Sequence, residues 1–427
     1  MTKEFQEWLL MRITERFMVL VMIRNIKLLY SPIKSKNQKD KISNTMKATH
    51  LSIGLGFILL LASCMQDKTK NGDVKTILFE DKYADLTEKM DFQFIQLETN
   101  DESLISMISS AQLIDDKLYL LDVYKKQEVL VFDTTGRYIT KIAAKGNGPK
   151  EYVSLSGMYV NPESKEIVLA DYKNKFLFYD MDSCRLKRTL HSSFCTYDFI
   201  QTDENRFVYT SIKGFEQLGK NKKQYVLITD STEKVINYGF PLPFFTPYST
   251  SLSGSECYCF DNQYFVYYHL VPDVYQIKSD KIVPAYRLAF ESMEFPPVDF
   301  LQRASENKRD YTIDLEQSDY ISSYALFETK DVYMAYLMHK RMPVMAFYDK
   351  QTQESYTFDL KAYYKSLQLN ALLFPLGASD EYIIFKINLD DVESPNEIKN
   401  PELRKVVENR KEDDNYIIAL GKWKRNS

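Results

Sequence analysis

The chain has 427 residues, 44% of them hydrophobic and 27% charged, with a formal net charge of −4 at pH 7. This length and hydrophobic content allow one large buried core or two smaller ones. The acidic balance disfavours nucleic acid as a partner, because phosphate binding depends on a concentrated basic surface.

Residues 1–45 are strongly basic and contain one apolar burst, Phe17–Ile23, which is too short to span a bilayer. We predict that they are an upstream extension outside the functional protein and that translation starts at Met46. A genuine basic leader that starts at Met1 is the alternative.

Residues 46–63 have the form of a lipoprotein signal peptide. Met46–His50 is a short basic segment, and Leu51–Ala62 is an apolar segment too short for a transmembrane helix, which needs about 20 residues. Leu61-Ala62-Ser63-Cys64 matches the lipobox, after which a signal peptidase leaves the cysteine as an acylated N-terminus. We therefore predict lipid attachment at Cys64 and a location in the bacterial cell envelope, at the outer membrane. The alternative is a buried helix followed by a chance cysteine.

Removal of the first 63 residues, which hold 10 basic and 4 acidic side chains, leaves 45 basic against 55 acidic residues and a net charge of −10. Met65–Asp73 is polar and lacks apolar periodicity, as expected of a tether. We assign residues 64–80 to this tether and residues 81–427 to the folded domain.

The folded domain begins with a repeat of short apolar strands, and its 31 Tyr and 26 Phe favour β structure. One supersecondary unit occurs twice, offset by 49 residues. Its strands are Leu118–Asp122, Val129–Asp133 and Tyr138–Ile142 in the first copy, and Ile167–Asp171, Phe176–Asp180 and Arg185–Leu190 in the second. Weaker copies begin near Phe207, Tyr264, Val332 and Tyr382.

A fixed-period array of β units is typical of a propeller. The six units predict an all-β, six-bladed β-propeller with four-stranded blades. The last unit lacks a fourth strand, whereas a spare strand, Phe92–Leu97, precedes the first. We predict that Phe92–Leu97 closes the ring as the outer strand of the sixth blade, because closure leaves no end blade with an unpaired edge.

The predicted connections differ in length between the two faces of the propeller. The turns on one face are short, whereas the other face receives the segments 143–155, 211–224, 240–255, 291–320, 361–372 and 388–414. Glu397–Arg410 in the last of these is predicted to be a hydrophilic helix. Long loops on a rigid scaffold commonly carry binding sites, so we expect the ligand or partner on this face.

A resemblance to a known family rests on Tyr119–Asp122, Val131–Asp133, Gly136 and the segment Lys145–Tyr152. In these residues the chain resembles the NHL-like six-bladed β-propeller lipoproteins of anaerobic Gram-negative gut bacteria. That family commonly has Gly-x-Gly-Pro-Gly-Glu-Tyr between its first two blades, and Lys150 stands here in place of the third glycine. The final segment Asp413–Ile418 is also similar. The resemblance implies the fold and an envelope location, and no particular activity.

Motifs for catalysis are mostly missing from the sequence, which has no Gly-Lys-Ser/Thr, Gly-x-Ser-x-Gly or His-Glu-x-x-His. Gly146-Asn147-Gly148 is interpreted as a tight turn between blades rather than a phosphate-binding loop. We expect no cofactor. A weaker alternative is a divalent metal at the channel mouth, held by Asp122, Asp171, His269 and His339. Aspartates at such positions more often anchor neighbouring loops.

The candidate ligand-binding residues are Phe244, Phe245 and Tyr248, in a segment that its prolines stiffen. They either grip a ligand or pack inward as a plug. Cys184 and Cys195 can form a disulfide in an oxidising envelope or remain free, while Cys257 and Cys259 lie too close on one strand to pair with each other.

We therefore predict a membrane-anchored binding module for a carbohydrate, a peptide or a partner protein. The alternative function is a propeller lyase or hydrolase with a metal at the channel mouth.

Overall fold

The protein is an all-β, six-bladed β-propeller, as the sequence predicts. A computed structural model describes residues 74–123, 125–172, 174–194, 198–202, 206–242, 255–306, 311–359, 372–389, 394–411 and 413–425. None of the helices in this part of the chain combines the length and the apolar character needed to span a bilayer.

The described strands follow one another along the chain with few helices between them. They are β1 (Lys75–Phe79), β2 (Met90–Gln96), β3 (Ile108–Ile114), β4 (Lys117–Asp122), β5 (Glu128–Asp133), β6 (Tyr138–Ile142), β7 (Leu155–Asn161), β8 (Glu166–Asp171), β9 (Lys175–Asp180), β10 (Leu186–His191), β11 (Asp198–Gln201), β12 (Phe207–Thr210), β13 (Gln224–Thr229), β14 (Val235–Pro241), β15 (Cys257–Phe260), β16 (Gln263–Tyr267), β17 (Asp273–Lys278), β18 (Lys281–Phe290), β19 (Ile321–Glu328), β20 (Val332–His339), β21 (Met342–Asp349), β22 (Ser355–Asp359), β23 (Leu372–Ala378), β24 (Tyr382–Asn388) and β25 (Ile417–Trp423). The described helices are α1 (Leu86–Lys89), α2 (Val298–Glu306), α3 (Tyr311–Gln317) and α4 (Pro401–Glu408), with 3-10 turns at Glu216–Asn221 and Pro395–Glu397.

Each blade is built on consecutive antiparallel strands, and blades four and six also include a strand from before β3. Blades one to three are β3–β6, β7–β10 and β11–β14, blade four is β15–β18 with β1 added, blade five is β19–β22, and blade six is β23–β25 with β2. The predicted second strands, which begin near Leu118, Ile167, Phe207, Tyr264, Val332 and Tyr382, correspond to β4, β8, β12, β16, β20 and β24.

The ring closes through β2, as predicted from the spare strand. β2 pairs antiparallel with β25 over seven residue pairs, from Met90 opposite Trp423 to Gln96 opposite Ile417. A strand from the start of the propeller thus completes the blade formed by its end, and blade six has no open edge at β25.

The segment before β2 corrects the predicted tether. Residues 64–80 were assigned to it, but β1 pairs in parallel with β18 as a fifth strand of blade four. Ile77 and Phe79 are fully buried there. They alternate with exposed residues that include the apolar Leu78, so polarity does not mark which side chains point inward. A five-residue strand is also stabilised only by the distant edge that it joins, which local sequence does not reveal.

Residues 75–96 run along the outer edges of three successive blades. After β1 on blade four, the Ser355 hydroxyl of blade five accepts a hydrogen bond from the Glu80 amide at 2.7 Å. At the start of blade six, the Lys424 amide donates to the Lys89 carbonyl at 2.8 Å. We call residues 75–96 the N-terminal strap, because it joins blades four, five and six.

In most blades the second and third strands are apolar on both faces, because both faces pack against neighbouring blades. In β4, Leu118 and Leu120 belong to a buried cluster with Ile384 and Ile418 of blade six. The alternate residues Tyr119 and Leu121 pack with residues of blade two. These strands therefore appear in the sequence as continuous apolar runs rather than as a polar–apolar alternation.

The connections differ between the two faces, as predicted. On one face, termed the short-turn face, connections between the described strands do not exceed five residues. Two of them are two-residue turns with positive φ at both positions, Asp115-Asp116 and Asp261-Asn262. The opposite face, termed the long-loop face, carries the segments 211–223, 291–320 and 389–416, with α4 inside the predicted helix Glu397–Arg410.

Candidate functional site

Several predicted site residues lie outside the described residues. They are Cys64, Phe244, Phe245 and Tyr248. Cys195, the possible disulfide partner of Cys184, also lies outside the described residues. Their roles stay predictions. Cys184, Cys257 and Cys259 form no disulfide among the described residues, and the last two both lie on β15, as expected of cysteines that cannot bridge each other.

Asp122 and Asp171 occupy equivalent positions at the long-loop end of the second strand in their blades. Each faces the first residue of the neighbouring strand, Ile108 and Leu155 respectively. The Asp122 carboxylate accepts hydrogen bonds from the Ser106 amide at 2.6 Å and its hydroxyl at 2.7 Å. The Asp171 carboxylate accepts from the amides of residues 153 and 154 at 3.2 and 3.1 Å. Both aspartates thus anchor the chain as it enters the innermost strand.

The metal alternative gains no support from the structure. Asp122, Asp171, His269 and His339 belong to blades one, two, four and five. His339 lies within hydrogen-bonding distance of the Asp319 carbonyl, with its Nε2 at 3.1 Å. Within the described ranges, no three or more His, Cys, Asp or Glu side chains are grouped so as to hold a metal ion. The four residues thus lie one in each of four blades and do not form a metal-binding group.

The glycine-containing segment 145–152 is a structural turn between blades one and two, as interpreted from the sequence. The Tyr152 side chain is fully buried, and its hydroxyl donates to the Gln127 carbonyl at 2.6 Å. The Gly148 amide donates to the Glu151 carboxylate at 2.8 Å, and the Gly146 amide donates to the Tyr152 carbonyl at 2.9 Å. Since these amides are already paired, they are not available to bind a phosphate.

His269 lies instead in a buried polar cluster that the sequence does not predict. Its Nδ1 is paired with the Glu256 carboxylate, which also accepts a hydrogen bond from the Tyr225 hydroxyl. All three residues are fully buried. The His269 Nε2 has no hydrogen-bond partner in the described part of the chain. Glu256 is 13 residues from His269 and precedes β15, so no local spacing in the sequence signals the pair.

An apolar layer lies beside this cluster on the long-loop face. Leu301 of α2 and Leu315 of α3 are buried in the same hydrophobic cluster as Tyr268 and Leu270, which flank His269.

A carboxylate that orients one histidine nitrogen and leaves the other free is an arrangement suited to proton transfer. The complete burial of His269, however, gives a substrate no access to it in this conformation.

Asp198 connects blade three to blade four next to this cluster. Its carboxylate accepts hydrogen bonds from the Glu256 amide at 2.7 Å and the Cys257 amide at 3.0 Å. Burial raises the pKa of Asp198 to about 6. Burial also raises the pKa of the Cys257 thiol well above its ordinary value, so this cysteine is a poor nucleophile.

Replacement of Asp198 by Asn is expected to stabilise the protein at neutral pH. Because the folded-state pKa of Asp198 lies above the ordinary value of 3.8, protonation of this carboxyl favours folding. That contribution is complete below pH 3.8 and is lost as the pH rises through about 6. Asn keeps an acceptor oxygen without a buried charge, so we expect the melting temperature of Asp198→Asn to exceed that of wild type at pH 7.5 and the gap to shrink at pH 4.5.

Asp230→Asn is the matched control for this measurement. Asp230 is partly exposed, and hydrogen bonds led by that from the Thr232 hydroxyl lower its pKa, so the sign of its pH dependence is opposite. A stability difference between Asp198→Asn and wild type that stays constant from pH 4.5 to 7.5 would contradict the assigned role of Asp198.

A groove lies at the long-loop end of β13 and β14 in blade three. Its volume is about 410 Å³, and it is lined by Lys220, Asn221, Lys223, Gln224, Pro241 and Leu242. A second hollow of about 360 Å³ lies at the seam between blades six and one, where its lining includes both Arg137 and the acidic residues Glu98 and Asp414. The blade-three groove differs in that its charged lining residues are all basic.

The comparisons with known proteins agree with the fold. The chain is similar to a putative exported protein from Bacteroides fragilis NCTC 9343, whose crystal structure superposes with a TM-score of 0.76 at 25% identity, covering 82% of this chain and 100% of that one. A more distant likeness is to PorZ, a surface component of the type-IX secretion system of Porphyromonas gingivalis. Its TM-score is 0.35 at 13% identity, and the match covers 67% of this chain and 30% of the other. It carries no functional argument. No curated protein matches the chain.

A family model described as a 6-bladed beta-propeller matches residues 65–386. This match spans most of the chain, including five complete blades and part of the sixth. The chain therefore belongs to the 6-bladed beta-propeller family DUF5128.

Proposed function

We propose that the protein is a lipid-anchored binding module of the bacterial cell envelope and that its ligand or partner binds the long-loop face. The observation that carries this proposal is the distribution of chain between the two faces. Every connection of more than ten residues between the described strands lies on the long-loop face, whereas the short-turn face is built from minimal turns. Rigid blades that present long loops on one side are a common scaffold for recognition.

The envelope location is supported by two independent features. The lipobox at Leu61–Cys64 follows a short apolar segment. The similar Bacteroides fragilis protein is described as putatively exported. Acylation at Cys64 would attach the domain to the membrane, and we assign it to the outer membrane.

The class of ligand that we propose is a carbohydrate, a peptide or a partner protein. Phe244, Phe245 and Tyr248 remain candidates because their aromatic side chains follow Leu242, which lines the groove of blade three, within six residues. The alternative of a lyase or hydrolase with a metal at the channel mouth has no supporting group of ligands within the described ranges, and we do not propose it.

Replacement of Phe244, Phe245 and Tyr248 together by Ala is expected to weaken binding of soluble glycans or peptides at least tenfold without unfolding the blades. Aromatic anchors can each contribute on the order of 2 kcal/mol or more to binding. Tyr83→Ala, which removes a 54% exposed tyrosine from the N-terminal strap, is the control. Ligand titrations and hydrogen exchange of the bound protein provide the measurement. Protection confined to the short-turn face would overturn the proposed function.

A further inference from the structure

We propose that the groove of blade three, lined by Lys220, Lys223, Gln224 and Leu242, binds a carboxylate-bearing glycan chain. This inference rests on the proposed function, because it names a ligand class and a place on the long-loop face. It is carried by the charge of the groove, the rigidity of the loop that presents it and the donors that line it.

The charge of the groove is opposite to that of the chain. The residues after the signal peptide carry a net charge of −10, yet the charged residues that line this groove are both lysines. Lys220 and Lys223 are exposed, and neither forms an ion pair within the described residues. Lys222, between them in sequence, is paired with Glu216 at 3.0 Å and does not line the groove. Two uncompensated ammonium groups attract an anionic ligand.

The loop that carries these lysines is held in one conformation by its own backbone. The Phe215 amide donates to the Lys222 carbonyl at 2.8 Å, and the Phe215 side chain is buried in the hydrophobic core. Gly214 has a φ of +68°, and a Cβ atom there would lie 2.0 Å from the Lys222 carbonyl oxygen. Only glycine therefore fits this turn. Since the loop is already ordered, little conformational entropy is lost when a ligand binds.

The remaining lining groups favour a glycan over an extended peptide. Gln224 contributes a side-chain amide that can hydrogen-bond hydroxyl and carboxylate oxygens, and Leu242 provides a buried apolar floor. The Asn221 amide nitrogen already donates to the Tyr238 hydroxyl at 2.8 Å, which leaves its second N–H for a ligand. β14 ends at Pro241, which has no backbone N–H to donate to an added peptide strand. In a uronic-acid chain, the carboxylates would bind the lysines, the hydroxyls would bind the side-chain amides, and the C–H faces of the sugar rings would pack on the apolar surface.

The test is a titration of the full propeller with a galacturonate hexasaccharide. We expect binding that weakens when the salt concentration rises from about 50 mM to about 500 mM, because screening reduces attraction between exposed charges. The double variant Lys220→Gln/Lys223→Gln should bind at least about tenfold more weakly than wild type, because hydrogen bonds to charged groups are among the stronger polar contacts. Its melting temperature should match that of wild type, because both side chains are exposed.

Lys222→Gln is the matched control, because it removes the same charge from the same loop outside the groove. Its affinity should stay within about twofold of wild type. Equal affinity of the double variant and wild type would overturn the inference, as would equal binding of a neutral hexasaccharide. Binding of hexaglutamate in place of the galacturonate chain would show an acidic-peptide site and also overturn it.

The failures of the two proposals are distinguishable. If the galacturonate chain does not bind but hydrogen exchange locates another ligand on the long-loop face, only the groove assignment is wrong. If the galacturonate chain binds and protects the short-turn face instead, both the groove assignment and the proposed function are overturned.

Discussion

A chain that begins at Glu98 is expected to aggregate or unfold, whereas one that begins at Val74 should melt cooperatively at high temperature. The difference between them is the N-terminal strap. Its strand β2 makes seven residue pairs with β25 and is the only partner on that edge of blade six within the described sheets. Without it, an apolar strand edge is exposed to other molecules.

The expected loss of stability is comparable to the whole free energy of unfolding. Met90, Ile95 and Leu97 are each at least 97% buried. Burial of one such side chain stabilises by roughly 1.5–3 kcal/mol, and a domain is typically stable by only about 5–15 kcal/mol. Thermal unfolding and light scattering of the two chains provide the measurement.

A third chain, which begins at Asp81, separates closure from the extra strand. It lacks β1 but keeps β2, so it loses the burial of Ile77 and Phe79 while the ring stays closed. We expect it to fold with an intermediate melting temperature. Indistinguishable melting of the chains that begin at Val74 and Glu98 would refute the role assigned to β2.

The second prediction concerns the membrane. In a chain that begins at Met46, Cys64→Ala should abolish incorporation of labelled fatty acid and move the protein from the membrane fraction to the soluble fraction. The physical reason is that acyl chains contribute about 0.8 kcal/mol for each buried CH₂ group, so they dominate the attachment of an acidic domain.

Cys184→Ala is the control for the anchoring experiment, because Cys184 is a half-buried free thiol in the propeller. It should keep both the label and the membrane fractionation of wild type. Persistent labelling of the Cys64→Ala protein would show that the lipobox assignment is wrong.

The strands and the closure of the ring could be predicted from sequence because they depend on local patterns. The apolar runs around Leu118 and Ile167 belong to two copies of the same three-strand pattern, and Phe92–Leu97 is a strand without a local partner. Ring closure then follows from counting strands. The strand β1 was missed, because a five-residue segment with two buried apolar side chains is stable only against the distant edge of β18.

The candidate site could be predicted only as a face. Loop lengths indicated the long-loop face. The pattern of strand ends indicated that Asp122, Asp171 and His339 occupy the same position, the last residue of the second strand in their blades. The pairing of His269 with Glu256 was not predictable, since it depends on how the chain enters β15 beside the turn after β16.

The sequence by itself determined the fold class, the number of blades and the closing strand, because they follow from the periodicity and the count of its strands. Lipid attachment at Cys64 stays a prediction from the lipobox motif. The tertiary structure alone decided that the N-terminal strap joins three blades, that Asp198 connects blades three and four, and that Lys220 and Lys223 line one groove while Lys222 turns to Glu216. These features join residues from distant parts of the chain or depend on side-chain direction, and both are set by packing rather than by spacing along the chain.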